Sequence, residues 1–239
     1  MAAISRTPRI ELSPRLRAVE ELVPTGSRVA DVCADHGLLP CALVLDGRAR
    51  RAIAVDVAEA PCRETRANVA RYGVGDKVEV RRGDGLGALR AGEVDGVVVS
   101  GVGGRIVLEI LGQRSLDHLG VAWLVVQANK RVPEVRTGLA GRGWAVADER
   151  LADDGGRYYT AIRFERATTP PKLKRADILL GPVLRKRGGE TYLAFLHHTR
   201  LWMREKVDGL ARTPGPMHDA AVSDLEGVET ELARWEPAA

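Results

Sequence analysis

Aromatic residues are scarce in this chain. Phe, Trp and Tyr make up 4% of its 239 residues, so Val, Leu, Ala and Ile must fill the core. Cysteine is rarer still: Cys33, Cys41 and Cys62 all lie in the N-terminal quarter. No pair has zinc-ligand spacing, and their odd number argues against a disulfide framework. A reducing compartment and no metal centre are expected. The leading residues, Met1 to Pro8, hold no apolar stretch of the kind a secretory signal needs. No run approaches the roughly twenty apolar residues that span a bilayer. A soluble cytoplasmic protein without a membrane is the expectation. A large excess of one charge is also missing. The 36 basic and 32 acidic residues leave a formal +4, a balance that permits a nucleic-acid partner without requiring one.

What is present is an alternation. Ser13-Pro14 reads as a helix start, and Leu16, Val19, Leu22 and Val23 follow at helical spacing. Arg15 and Arg17 fall off that apolar face. Strands are then predicted at Arg28–Cys33, Arg51–Asp56, Lys77–Arg81, Asp95–Ser100 and Trp123–Gln127. Helices are predicted between them at Leu38–Leu45, from Pro61 to about Tyr72, at Ile106–Leu111 and from Pro133 to about Gly141. Continuous runs such as Val97-Val98-Val99 suit strands buried on both faces. Trp144–Leu151 and Tyr158–Phe164 flank Asp153-Asp154-Gly155-Gly156, a hairpin signal. These features predict an α/β, doubly wound, seven-stranded and mostly parallel sheet with one reversed strand near its edge.

Thr168-Thr169-Pro170-Pro171 reads as a linker. It divides a domain over 1–167 from a second over 168–239. The second opens with a basic stretch, Lys172, Lys174, Arg175, Arg185, Lys186 and Arg187, opposed by Asp177. Two amphipathic helices follow. The first carries Leu193, Leu196, Met203, Val207 and Leu210, and the second Ala221, Leu225, Val228, Leu232 and Trp235. Thr213-Pro214-Gly215-Pro216 reverses the chain between them, so an antiparallel helical hairpin of coiled-coil type is expected.

The chemistry concentrates in Ala30-Asp31-Val32-Cys33-Ala34-Asp35-His36-Gly37-Leu38-Leu39-Pro40, after the first strand. A dinucleotide site needs Gly-x-Gly-x-x-Gly there. This turn offers Gly37 alone, with acids that would repel a pyrophosphate, which argues against NAD, and no P-loop is present. A phosphate-free cationic cofactor fits better, and S-adenosylmethionine is one. Asp31 would meet its amino-acid end, Asp56 its ribose hydroxyls, and Asp84 its adenine amino group. Singly, each residue has a plain structural reading. Asp31 or Asp35 suits a helix cap, Asp56 a turn, His36 a structural hydrogen bond, and the glycines at 101, 103 and 104 a tight turn. Three acids on successive strand ends make chance placement less probable than any one of them alone.

The turn resembles the D-x-G-x-D-H-A-x-L-P signature of the bacterial tRNA (adenine-22-N1)-methyltransferases, the TrmK family. The likeness continues through Asp56, Gly83-Asp84-Gly85-Leu86, Ser100-Gly101-Val102-Gly103-Gly104, Gln127-Ala128-Asn129 and Leu180-Gly181-Pro182. It covers nearly the whole chain in the same order. Three positions depart from the family pattern. Cys33 stands for Gly, Val102 for the Met of the fourth-strand turn, and Ala128 for the Pro of Q-P-N.

The resemblance implies a class I, Rossmann-like methyltransferase fold, S-adenosylmethionine as cofactor, and methyl transfer to N1 of an adenine in the D-arm region of tRNA. The cofactor contacts expected are Asp31, Cys33, Gly37, Asp56, Asp84, Gly85, Gly101 and Gly103. Adenine N1 carries its own lone pair, so positioning matters more than a base. Asp35 is expected to stabilise the cationic product ring, with His36 shaping the pocket and Gln127 and Asn129 bonding the base edge. RNA contacts are expected at Arg6, Arg9, Arg15, Arg17, Arg105, Lys172, Lys174, the rest of the 172–187 stretch, Arg200 and Arg204. A monomer acting on tRNA is the expectation. Two other classes stay open: a methyltransferase of a small molecule or protein, and a non-catalytic interaction protein on this fold.

Overall fold

A computed structural model describes residues 10–213 and 215–236. Helix α1 (Pro14–Leu22) opens the chain, with Ser13 Oγ accepting from the Leu16 amide as its cap. The chain continues β1 (Ser27–Val32), α2 (Leu38–Leu45), β2 (Ala49–Asp56), α3 (Glu59–Arg71), β3 (Val78–Arg82), β4 (Gly96–Val102), α4 (Gly104–Ile110), α5 (Leu116–Leu119), β5 (Trp123–Ala128), α6 (Val132–Ala140), β6 (Trp144–Asp154) and β7 (Arg157–Arg166). One sheet holds all seven strands in the order β3-β2-β1-β4-β5-β7-β6. β7 runs antiparallel to both its neighbours and the other pairs are parallel, as the doubly wound reading predicts. The strand order reverses between β1 and β4, where Asp31 pairs with Val98 and Val32 with Val99. Open α/β sheets form their ligand crevice at that switch point.

Strand burial follows from the apolar runs. Val97, Val98 and Val99 are all 0% exposed, because helices cover both faces. Val97, Val99, Leu124, Val126, Leu139 and Phe164 join one cluster, and Val29, Val98, Val125, Leu22 and Leu43 the other. The β6–β7 turn is tighter than predicted. Pairing extends to Asp154↔Arg157, leaving Gly155 and Gly156 as a two-residue loop with φ 66° and 82°, values that suit glycine.

Beyond the sheet come α7 (Arg175–Leu180), α8 (Leu184–Arg187), α9 (Glu190–Leu210) and α10 (Pro216–Trp235). The long hairpin α9–α10 was expected; the short α5, α7 and α8 were not. Leu180, Leu184, Tyr192, Leu196, Val228 and Leu232 form a third cluster, with Leu151 of β6 packed against it. The hairpin is thereby seated on the sheet domain. A buried ion pair reinforces the joint. Arg136 of α6 and Glu149 of β6, 2% and 0% exposed at their side chains, bond at 2.7 Å. Glu149 also accepts from the amides of Val183 (2.9 Å) and Leu184 (3.2 Å), and Arg136 donates to the Ile178 carbonyl (2.9 Å). Gly181 runs between these side chains, and a Cβ there would sit 2.8 Å from the Arg136 guanidinium.

The arginines of the 172–187 stretch, expected to contact RNA, are engaged in ion pairs within the chain. Arg175 pairs with Asp224 at 2.7 Å, and Arg185 with Asp177 at 2.5 Å and Glu231 at 2.7 Å. Arg187 pairs with Asp148 at 2.7 Å. Asp224 and Glu231 are buried on α10; Arg185 is largely covered where it meets Glu231, while Arg175 and Arg187 hold their partners from the surface. Lys172 and Lys174 stay exposed just before α7.

Candidate active site

The turn after β1 is twisted and tightly held. Cys33, Asp35 and Gly37 have φ of 65°, 51° and 66°; each non-glycine residue in this region costs about 1–2 kcal/mol. Neighbouring elements supply the restraint. The Ala34 amide donates to the Val55 carbonyl (3.1 Å) and the Asp35 amide to Asp56 Oδ2 (3.2 Å). From α3, Thr65 Oγ1 donates to the Asp35 carbonyl (2.8 Å) and Asn68 Nδ2 to the His36 carbonyl (2.9 Å).

The turn borders a cavity of about 340 Å³, whose lining includes Arg15, Asp31, Cys33, Asp35, Asp56 and Gly101. His36 joins the lining at its edge. Asp31 is 2% exposed, and its Oδ1 has no hydrogen-bond partner among the described residues. Burial, with Asp56 adding repulsion, pushes its carboxyl up to about 8. An unpartnered buried oxygen is costly, and a cationic donor entering the cavity would relieve it. Asp56 accepts from the amides of Ala58 (3.0 Å) and Asp35 (3.2 Å) and keeps lone pairs for further donors.

Arg15 requires a correction. It does not lie on an outer face awaiting RNA: it reaches from α1 into the cavity lining and donates from Nη1 to Gln127 Oε1 at 2.7 Å. Its guanidinium lies 5.8 Å from the Tyr159 ring centroid. A buried acid and an arginine in one cavity match an ammonium and a carboxylate on one carbon. With Asp56 beside them for a ribose diol, this donor set fits S-adenosylmethionine. Arg17 instead pairs with Glu20 and lies 3.5 Å from Asp46.

Gln127 also changes role. It is 0% exposed and cannot meet a base edge. Its Oε1 accepts from Arg15 and from the Gly101 amide (3.1 Å), and its Nε2 donates to Asn129 Oδ1 (3.2 Å). Asn129, exposed, donates in turn to the Gly101 carbonyl (2.6 Å). The chain Arg15–Gln127–Asn129 thus fixes the β4 turn from both sides. Ala128 leaves that turn intact, since the Asn129 amide still donates to the Val102 carbonyl (2.8 Å).

Asp84 and Gly85 lie outside the cavity lining, and so do Gly37 and Gly103. Asp84 Oδ1 accepts from Gln113 Nε2 (3.0 Å), while Gln113 Oε1 accepts from the Leu86 amide (2.9 Å). Sequence reading missed Gln113, which no motif contains. Gly37 and Gly103 precede α2 and α4 as their caps. His36 sits between two carboxylates, with Nε2 3.3 Å from Asp35 and Nδ1 against Glu64. Glu64, one turn into α3, was also missed.

The remaining RNA candidates scatter. Arg105 is exposed beside the β4 turn and pairs with Glu109 at 3.0 Å. Arg200 stands on α9 with Nη2 3.3 Å from His197 Nδ1. Arg204 pairs with Glu229 at 2.7 Å. Arg6 and Arg9 lie outside the described residues.

Comparison with known proteins agrees with this geometry. A family model described as a methyltransferase domain matches residues 12–162. The tRNA (adenine(22)-N(1))-methyltransferase of Bacillus subtilis strain 168 is 30% identical over 188 residues, covering 77% of this chain and 79% of that protein. The crystal structure of the Bacillus subtilis tRNA methyltransferase TrmK superposes with a TM-score of 0.82 at 25% identity, over 94% of this chain and 100% of that one. A candidate tRNA methyltransferase of the same specificity from Streptococcus pneumoniae, in complex with S-adenosyl-L-methionine, gives 0.82 at 27% identity over 93% of this chain and all of its own. With a methyltransferase model over most of its sheet domain and a curated relative across three quarters of its length, the chain belongs to the bacterial tRNA (adenine-22-N1)-methyltransferase family.

Proposed function

We propose that this protein transfers a methyl group from S-adenosylmethionine to N1 of adenine 22 in tRNA, acting in the cytoplasm as a monomer. The observation that carries the reading is Asp31, whose buried oxygen has no partner, in one cavity with Arg15 and Asp56. Asp31 would hold the cofactor's ammonium, Arg15 its carboxylate, and Asp56 its ribose hydroxyls. When bound, S-adenosylmethionine supplies an electrophilic methyl on a sulfonium centre.

The chain's own residues then do three things. Gly101, fixed through Gln127 and Asn129, leaves room for a planar base to approach closely. Asp35, an exposed residue of the cavity lining, would place a carboxylate where the methylated ring becomes cationic. His36 bridges Asp35 and Glu64 and holds that carboxylate in place. No residue need remove a proton, because N1 is unprotonated at neutral pH. N1 is normally occupied by pairing, so the target base must leave its stack. Cys33 lines the cavity at a left-handed φ of 65°, a conformation that Gly, the residue of the family pattern here, adopts without strain.

Primer extension on unmodified tRNA tests the reading. Methylated N1 blocks pairing, so incubation with protein and cofactor should create a reverse-transcriptase stop at adenine 22. Absence of a new stop, with the cofactor bound, would refute it.

A further inference from the structure

A second concavity, about 770 Å³, runs between α6, β7 and the inner side of α9. Its lining includes Asn129, whose side chain bonds Gly101 in the lining of the cofactor cavity, so one hydrogen bond links the walls of the two concavities. Phe, Trp and Tyr are only 4% of the chain, yet Tyr158, Phe195 and Trp202 all line this groove. Tyr158 packs edge-on to Phe195, with centroids 6.0 Å apart, and lies 5.4 Å from the His198 ring. Trp202 is 53% exposed, and Lys206 Nζ stands 5.5 Å from its ring centroid.

The charge is positive. Lys130, Arg131, Arg136, Arg175 and Lys206 line the groove against Glu134 and Asp224. Both acids are consumed, Glu134 by Arg131 at 2.9 Å and Asp224 by Arg175 at 2.7 Å. Lys130 and Lys206 have no acid within ion-pair distance among the described residues. An exposed indole costs free energy in water unless something covers it. A lone apolar partner would leave the two lysines unmatched. Aromatic faces interleaved with unpaired cations are how proteins hold unstacked nucleotides.

We infer that this groove binds the single-stranded RNA segment flanking the target adenine, with a base stacked on Trp202 and phosphates at Lys130 and Lys206. This deepens the proposed function and rests on it. A base inside the cofactor cavity leaves its neighbours outside, and the groove, joined to that cavity through the Asn129–Gly101 bond, can receive them. Arg200 and Arg204 thereby give way to Trp202 and Lys206 as the contacts on α9.

The test uses the full chain and an unmodified tRNA transcript. Trp123 and Trp144 are 6% and 1% exposed and Trp235 packs against Tyr192, so Trp202 dominates any change in indole emission. Transcript should quench that emission, and quenching should vanish in Trp202→Ala. Trp202→Ala should weaken tRNA binding about tenfold, as loss of one stacked base does. Trp202→Phe should restore most of the affinity. Lys206→Ala should reduce the slope of log affinity against log salt by about 1. Cofactor affinity and melting temperature should stay unchanged in all three variants, since neither side chain is buried. Unquenched emission, or unaltered tRNA affinity in Trp202→Ala, overturns the groove. A wild-type stop at adenine 22 alongside that result leaves the enzymatic reading standing. No stop at all removes the enzymatic reading, and the groove assignment falls with it.

Discussion

The cofactor cavity and the joint with the helical hairpin both bury a carboxylate, and they treat it in opposite ways. At the joint, Glu149 is matched by Arg136 and two amides. In the cavity, Asp31 Oδ1 is matched by nothing among the described residues. The turn beside it holds two non-glycine residues in left-handed conformations. A completed ion pair resists change, because removing either member strands the other. An uncompleted one favours a cationic donor that can enter and match it. The same residue class thus serves as a fastener in one place and a receptor in the other, and the surrounding partners decide which.

The sharpest way to break this contrast is to make the joint resemble the cavity. Glu149→Gln should destabilise the protein by about 3–5 kcal/mol, the range for stranding one member of a buried pair, read from urea unfolding. Combining Arg136→Met with Glu149→Leu should recover only part of that loss, since the apolar pair removes the charges but leaves the Val183 and Leu184 amides and the Ile178 carbonyl without side-chain partners. If the double variant is as unstable as the single, the cost lies in those orphaned backbone groups rather than in stranded charge.

The reverse change completes the cavity without a ligand. Asp31→Asn should weaken S-adenosylmethionine binding by about 2–5 kcal/mol, measured by calorimetry. The ligand-free protein should respond the other way. In the unfolded chain Asp31 ionises near its ordinary 3.8, whereas the fold holds it up to about 8. Between those values the unfolded state sheds a proton that the folded state keeps, so the ligand-free protein loses stability as pH rises through this window. Asp31→Asn removes that loss and should raise the melting temperature at pH 8. In the wild type, binding an ammonium should expel the Asp31 proton, so affinity should climb from pH 6 to pH 8. Titrations in two buffers of different ionisation enthalpy would detect the released proton; identical heats would count against this assignment.

Smaller effects sharpen the picture at the turn. Asp35→Ala should lower turnover about tenfold, roughly 1.4 kcal/mol of barrier, with cofactor affinity nearly unchanged. A fall confined to cofactor affinity would move Asp35 from the substrate side to the cofactor side. Cys33→Gly should be smallest. Relief of the left-handed residue, about 1 kcal/mol or more, is partly offset by greater freedom of the unfolded chain. A stability change within about 1 kcal/mol is expected in a thermal melt, with no loss of cofactor binding.

Much of this architecture was legible in the residues. The five parallel strands announce themselves as apolar runs such as Val97–Val99, and Gly155-Gly156 marks the hairpin. The acids of the turn pointed to a cationic cofactor because they would repel a pyrophosphate and the turn holds Gly37 in place of a glycine-rich motif. What escaped was long-range pairing. Arg15 lies off the apolar stripe of its helix, which ordinarily means solvent; here that side faces the sheet's carboxyl edge. Gln127 looked like a substrate contact because motifs give order along the chain and not depth. Asp224 and Glu231 sit among polar residues of α10, and nothing in their periodicity says that they are buried and paired with Arg175 and Arg185. Helices α7 and α8 are too short for a periodic signal.

The joint between sheet and hairpin also has a consequence in time. Residues are made in order, and Glu149 leaves the ribosome before Val183 and Leu184, whose amides complete its shell. Arg136 likewise waits for the Ile178 carbonyl. Domains fold as units during synthesis, yet this sheet cannot close its last polar contacts until the segment through Leu184 has emerged. A nascent chain stalled before that point carries an ion pair short of its amide and carbonyl partners, so α7 and the start of α8, ahead of the hairpin itself, act as the final step of building the sheet domain.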